Sequence, residues 1–115
     1  MKLFGFTSFD ELLAYNCAPV LAGIKPANLL SLMPDDAEEI DALLVQYNAQ
    51  FAERGIVFRR LCACPKRVLI LVYNEEQLAQ ALRNPGYQAY LIAAGYEAGA
   101  SAEAYLHRLE QRLNT

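Results

Sequence analysis

The apolar run Val-Leu-Ile-Leu-Val at residues 68–72 constrains the fold of this chain more than any other segment. Successive side chains of a strand point to opposite faces of the sheet, so a strand formed here is apolar on both faces. Such a strand needs cover on each side, either from helices of the same chain or from an oligomer interface. The run therefore predicts a central strand over residues 67–73.

Two further segments predict the neighbours of this strand. Residues 56–63 have a strand pattern and are joined to it by a tight turn, and Arg59 and Arg60 indicate an exposed edge. Residues 27–33 predict a third strand, which a crossover helix separates from the hairpin. The right-handed crossover rule then places the 67–73 strand between the other two, as in a split β-α-β unit.

Apolar stripes and capping residues predict about five helices. Ser8 and Glu11 form a capping box that starts the first helix, and Pro19 should end or kink it. The other four helices are predicted at 35–51, 74–83, 85–95 and 101–113, with Asn74 and Ser101 as the caps of the helices that begin there. The expected fold class is α+β, with a small three-stranded mixed sheet covered by helices in a single domain over residues 1–115.

The composition argues against several classes of function. The 115 residues carry a net charge of −3, whereas nucleic-acid-binding proteins usually carry a basic excess. The chain has no apolar run of the roughly 20 residues that span a membrane, and no signal-peptide pattern, so we expect a cytoplasmic protein. Three cysteines are an odd number and too few for a disulfide framework, so free thiols are expected. No cofactor is indicated.

The segment that joins the first helix to the first strand is unusually constrained for a connector. It contains Cys17, Gly23, Lys25 and Asn28 within residues 16–29. Glycine, lysine and an amide at this spacing could hold a small anion or a carboxylate. The structural alternative is that Gly23 ends a helical turn, Lys25 is solvated and Asn28 satisfies turn backbone. Cys17 is either a thiol activated by a helical turn and Lys25, or a small buried apolar residue.

The same segment carries a family resemblance. The run from Cys17 to Leu29, Cys-Ala-Pro-Val-Leu-Ala-Gly-Ile-Lys-Pro-Ala-Asn-Leu, resembles the core motif of the domain-of-unknown-function family 3793. Weaker similarity continues at 71–73, 82–85 and 91–96. Members of this family are small bacterial proteins, mostly from anaerobic Firmicutes. Typical members continue past the equivalent of Thr115, so the resemblance implies a short member or the N-terminal half of a longer protein. It implies no particular reaction.

This chain departs from the family pattern at three positions. A histidine usually precedes the motif cysteine, where this chain has Asn16. A threonine is usual at Pro26, and a second cysteine is usual near Leu32. If family members use that histidine and that cysteine as ligands or redox groups, this chain has lost both. The departures weaken the case for chemistry at Cys17.

Other candidate groups are less complete. Cys62 and Cys64 could bind a soft metal or act as a redox pair, but a stable zinc or iron–sulfur site needs about four ligands. His107 falls on the polar face of the last helix, without a catalytic partner at a useful spacing. Arg59, Arg60 and the basic residues of the adjacent hairpin turn indicate a solvated edge or a protein contact.

These observations favour a non-catalytic binding or protein-interaction module that works through residues 16–29. Its partner would be another protein, a second copy of the chain or a small anionic ligand. The alternative is a thiol-based redox or metal-binding protein that uses Cys17, or Cys62 with Cys64. No complete catalytic constellation is present in the sequence, so enzymatic activity is not the favoured hypothesis.

Overall fold

The computed structural model describes residues 5–32, 37–64, 67–84 and 101–113. The helices are α1 (Phe9–Asn16), α2 (Ala18–Leu21), α3 (Ala37–Phe51), α4 (Glu75–Arg83) and α5 (Ala102–Leu113), and a 3₁₀ turn (Ala52–Arg54) follows α3. The strands are β1 (Ala27–Leu32), β2 (Ile56–Cys64) and β3 (Arg67–Asn74). The helix predicted at 85–95 lies outside the described residues.

The three strands form one sheet in the order β1-β3-β2. The predicted α+β class and the central position of the apolar strand are confirmed. Both pairings are antiparallel. The expectation of a mixed sheet was therefore wrong. β1 and β2 run in the same direction, but β3 separates them and they do not pair.

Each face of the sheet is covered by helices, as the two-sided apolar pattern of β3 requires. On one face, Val68, Ile70 and Val72 of β3 pack with buried residues of α1, α2 and α3. On the other face, Leu71 and Tyr73 pack with buried residues of α4 and α5. The alternation along one strand therefore produces two hydrophobic cores, one on each side of the sheet.

A β-bulge in β2 lies between Arg60 and Cys62. Just before it, Arg59 and Arg60 point to opposite faces of the sheet. The Arg59 Nε lies 2.7 Å from a carboxylate oxygen of Glu110 in α5, and this partner raises the Arg59 pKa. The Arg60 guanidinium lies 2.7 Å from Asp41 in α3. The two basic residues thus contact helices of their own chain on both sides of the edge strand.

Side-chain caps begin α1, α4 and α5. The Ser8 hydroxyl accepts from the Glu11 amide, Asn74 accepts from the Gln77 amide at 2.9 Å, and Ser101 accepts from Ala104. Each cap satisfies one of the amide donors that the first turn of a helix leaves unpaired. All three caps fall at residues that the sequence predicted. None of the helices in the described ranges is long and apolar enough to cross a membrane.

Tyr47 of α3 packs in an aromatic group with Phe9, Phe51 and Phe58, and it carries the only hydroxyl of these four rings. This hydroxyl joins α3 to α1. It donates to Asp10 at 2.8 Å. Burial, together with this carboxylate, raises the pKa of Tyr47 to about 12.

We expect the Tyr47→Phe variant to lose about 0.5–1.5 kcal/mol of stability at neutral pH, because it lacks one hydrogen bond. The unfolded chain ionises this tyrosine near pH ~10. The folded pKa is higher, so its stabilisation is complete below about pH 10 and is lost as the pH rises through the folded value. Denaturant unfolding at alkaline pH should therefore show a shallower decline in the variant than in the wild type. Equal declines would contradict this assignment.

Candidate functional site

The 16–29 junction begins at the end of α1, where Cys17 separates α1 from α2. α1 ends at Asn16 and α2 begins at Ala18, so Pro19 lies in the first turn of the second helix. Proline fits there because first-turn amides have no partner within the helix. The prediction that Pro19 limits the first helix is confirmed, while the short α2 that follows was not predicted.

The end of α2 is closed by a Schellman motif. The Ile24 amide donates to the Pro19 carbonyl at 2.8 Å, and the Gly23 amide donates to the Val20 carbonyl at 3.1 Å. Gly23 has a φ of 76°, a left-handed conformation that side chains with a Cβ adopt only at a cost. The Lys25 amide also donates to Pro19. Because all three amides of the turn are engaged, they do not form an anion-binding nest.

Three side chains hold the junction, two from distant parts of the chain and one from the junction itself. Arg54 of the 3₁₀ turn donates to the Leu21 carbonyl, and Gln77 of α4 donates to the Gly23 carbonyl at 2.6 Å. Asn28 of β1 donates to the Asn16 carbonyl at the end of α1. The connector is therefore fixed at its beginning, its middle and its end.

Three of the four residues predicted as a site lie together. The Asn28 amide nitrogen is 3.8 Å from the Cys17 sulfur, and the Lys25 ammonium is 3.5 Å from the Asn28 amide oxygen. Gly23 lies at the end of α2, and its carbonyl is held by Gln77 instead. Asn28 is thus the centre of the group, since it contacts the backbone of α1, the thiol and the lysine.

The Cys17 thiol is fully buried in the core formed by α1, α2 and α3. Burial raises its pKa, and this effect exceeds the opposing influence of the Asn28 hydrogen bond and the Lys25 charge. The thiol is therefore protonated at neutral pH, and a protonated thiol is a poor nucleophile and a poor metal ligand. This environment is typical of a structural cysteine.

Comparison with protein families supplies the relationship. The family model described as protein of unknown function (DUF3793) matches residues 13–115. The chain belongs to the DUF3793 family. The match includes the whole 16–29 junction. No curated protein and no solved structure matches the chain.

The most exposed large apolar side chain of this DUF3793 junction is that of Ile24, whose exposed fraction is 68%. It follows Gly23 at the tip of the turn, between the carbonyl held by Gln77 and the side chain of Lys25. No carboxylate of the described residues lies within 4.0 Å of the Lys25 ammonium. Sequence reasoning missed Ile24, and the signal that could have found it is the motif Gly-Ile at the end of a short helix.

The remaining candidates are His107, Cys62 and Cys64. His107 is exposed on α5, as expected for a polar helix face. The side chains of Cys62 and Cys64 lie outside the described residues, so the metal alternative at these positions stays a prediction. Within the parts of the chain that the structure describes, no three potential metal ligands cluster.

Replacing Gln77 by alanine should destabilise the protein by about 0.5–1.5 kcal/mol, because the Gly23 carbonyl loses its donor. The cost is moderate because the Gln77 amide oxygen is itself buried without a partner among the described residues. Gln80→Ala is the matched control, since Gln80 is an exposed glutamine of the same helix. Denaturant unfolding should separate the two variants. Equal stabilities would show that the hydrogen bond to Gly23 contributes nothing.

Proposed function

We propose that the 16–29 junction is a docking surface for another protein, with Ile24 as its central contact. The observation that carries this proposal is an apolar side chain, 68% exposed, on a turn that Arg54, Gln77 and Asn28 hold in place. An exposed isoleucine on a turn held this closely presents a fixed apolar surface to a partner.

Rigidity supports this role on energetic grounds. Binding costs free energy when a flexible loop must be ordered, at roughly 0.5–1.5 kcal/mol for each immobilised side chain. A turn that is already closed by a Schellman motif and by three side chains avoids most of that cost. Most of the binding energy of an interface comes from a few such contacts.

The neighbouring charge indicates what the partner offers. Lys25 lies beside Ile24 and contacts the amide oxygen of Asn28, which leaves its positive charge uncompensated by the described carboxylates. An apolar pocket with a carboxylate on its rim would complement the pair.

We further propose that the protein acts in the bacterial cytoplasm, where its cysteines would remain reduced.

The two competing functions receive less support from this site. A small anion would have only the Lys25 ammonium, because the amides of Gly23, Ile24 and Lys25 already donate to carbonyls of α2. Thiol chemistry at Cys17 is disfavoured by burial and by the raised pKa.

Site-specific photocrosslinking in the cells that make the protein tests the docking surface. A photoreactive amino acid at position 24 should give a discrete heavier adduct, whereas the same group at position 45 should not. Val45 is a suitable control because it is also apolar and is 71% exposed, but belongs to α3 and not to the junction. Lys25→Glu should reduce the yield at position 24. No adduct at position 24, or equal adducts at both positions, would overturn the proposal.

A further inference from the structure

The two edges of the sheet differ in how their backbone groups are occupied. On the outer edge of β2, the Asn48 side chain accepts from the Phe58 amide at 2.7 Å and donates to the Phe58 carbonyl at 2.9 Å. The β-bulge and the charge of Arg60 further protect this edge against pairing with another strand. β2 is therefore closed to further strands by several independent features.

β1 has none of these protections. Its sequence, Ala-Asn-Leu-Leu-Ser-Leu, contains no charged residue and no proline, and its pairing with β3 is regular from Ala27 to Leu32. Native proteins usually protect an edge strand with charges, prolines or bulges, because an open edge pairs readily with other strands. Among the residues that the structure describes, protection of this kind is therefore confined to the β2 edge of the sheet.

The register identifies which groups of β1 face outward. The Asn74 amide donates to the Pro26 carbonyl, so residues 26 and 74 form a hydrogen-bonded pair. Such pairs alternate along an antiparallel ladder, so Asn28, Leu30 and Leu32 direct their amides and carbonyls toward β3. The outward groups are those of the alternate residues Ala27, Leu29 and Ser31. Within the described ranges, no side chain or backbone group is hydrogen-bonded to them.

We propose that β1 pairs with β1 of a second copy of the chain, antiparallel and about a two-fold axis at Leu29. This register joins Leu29 to Leu29 of the partner subunit, and joins Ala27 to Ser31 of the partner subunit. Each of these pairs exchanges two hydrogen bonds, and the two three-stranded sheets become one continuous sheet. The inference concerns an edge distinct from Ile24, so it does not depend on the docking role proposed for the junction.

Two properties of β1 favour a second copy as the occupant. The strand is uncharged, so two copies meet without like-charge repulsion, whereas two β2 strands would bring their arginines together. A two-fold interface uses the same surface of both subunits. Pairing about Leu29 meets this condition, because the outward amides and carbonyls of Ala27, Leu29 and Ser31 bond to the same set of groups in the second copy. Leu29 is 37% exposed in the single chain, and the pairing places it beside its own symmetry mate.

Two measurements on the full chain over a wide range of concentrations test this pairing. Sedimentation should show the molar mass doubling as concentration rises. Hydrogen exchange should show the Leu29 and Ser31 amides slowing by roughly tenfold or more, while the inward amides of Leu30 and Leu32 are protected throughout. A chain that stays monomeric, or a dimer in which the Leu29 and Ser31 amides keep their exchange rates, would overturn the proposal.

A proline substitution gives an independent test. Ser31→Pro removes one outward donor without breaking the ladder to β3, because proline is tolerated on an edge strand when its nitrogen faces outward. This variant should remain monomeric, and Ser31→Ala should dimerise like the wild type. Protection of the Leu30 amide in Ser31→Pro establishes that β1 is still paired with β3. A folded Ser31→Pro variant that still dimerises would contradict the proposed register.

Discussion

Replacing Leu71 by alanine should destabilise the protein by about 2–5 kcal/mol, the largest effect that we expect from a single substitution. Leu71 is fully buried at the centre of β3, between the sheet and the helices α4 and α5. Truncation removes the transfer free energy of three carbon atoms and leaves a cavity that this close-packed core can fill only in part. Domains of this size have a total stability of only about 5–15 kcal/mol, so a large fraction is lost.

Denaturant unfolding followed by circular dichroism would measure this loss. Val45→Ala is the control, because Val45 is 71% exposed on α3 and should change stability by less than about 0.5 kcal/mol. The midpoint should fall for Leu71→Ala at an unchanged denaturant slope, which indicates lower stability without a change in the unfolded chain. A cost of Leu71→Ala similar to that of the control would contradict a central strand covered on both faces.

Replacing Asn28 by alanine should cost about 1–3 kcal/mol, because the substitution leaves a half-buried backbone carbonyl without its donor. The lost hydrogen bond to the Asn16 carbonyl joins the end of α1 to the start of β1. The same substitution removes the contact with the Cys17 sulfur and the acceptor of the Lys25 ammonium. Asn28 is therefore the polar residue of the junction whose loss should have the greatest effect.

Ser31→Ala is the matched control for Asn28, since both substitutions remove a polar side chain from β1. Ser31 is exposed, so its replacement should change stability by less than about 0.5 kcal/mol. Both variants should be compared at a concentration low enough to keep the protein monomeric. Equal costs in the two variants would show that the Asn28 side chain does not hold the junction.

The order and type of most elements could be predicted from local patterns. The apolar run at 68–72 identified the central strand because its alternating side chains need cover on both sides. Ser8, Asn74 and Ser101 identified helix starts because a cap acts on amides only two or three residues away. Such signals depend on residues that are close together in the chain, so they can be recognised from the sequence alone.

The features that fix the junction depend on residues far apart in the chain. Gln77 holds a carbonyl 54 positions earlier, and Arg54 holds one 33 positions earlier. Neither residue has a sequence signal that distinguishes it from a solvated side chain. The antiparallel sheet, by contrast, follows from the strand order that the sequence predicted. The hairpin makes β3 antiparallel to β2, and β1 runs in the same direction as β2, so a central β3 is antiparallel to both neighbours and the expectation of a mixed sheet was wrong.

The two interpretations of Cys17 also could not be distinguished from the sequence. A cysteine beside a proline and near a lysine fits both an activated thiol and a small core residue. Burial decides between them, because desolvation of the thiolate outweighs the favourable influence of Lys25 and Asn28. The family motif therefore marks a structural junction in this chain, with its exposed group at Ile24 and its thiol facing the core.

The pH dependence of Cys17 alkylation tests most directly whether the motif cysteine is a buried structural residue of the junction. Alkylation under native conditions, followed at each cysteine by peptide mass spectrometry, reports Cys17 separately from Cys62 and Cys64. We expect slow modification of Cys17 at neutral pH and an apparent pKa above the usual value of about 8.5. Rapid modification that reaches its plateau below pH ~7 would indicate an activated thiolate. That result would contradict a buried structural cysteine and would favour thiol chemistry at the junction.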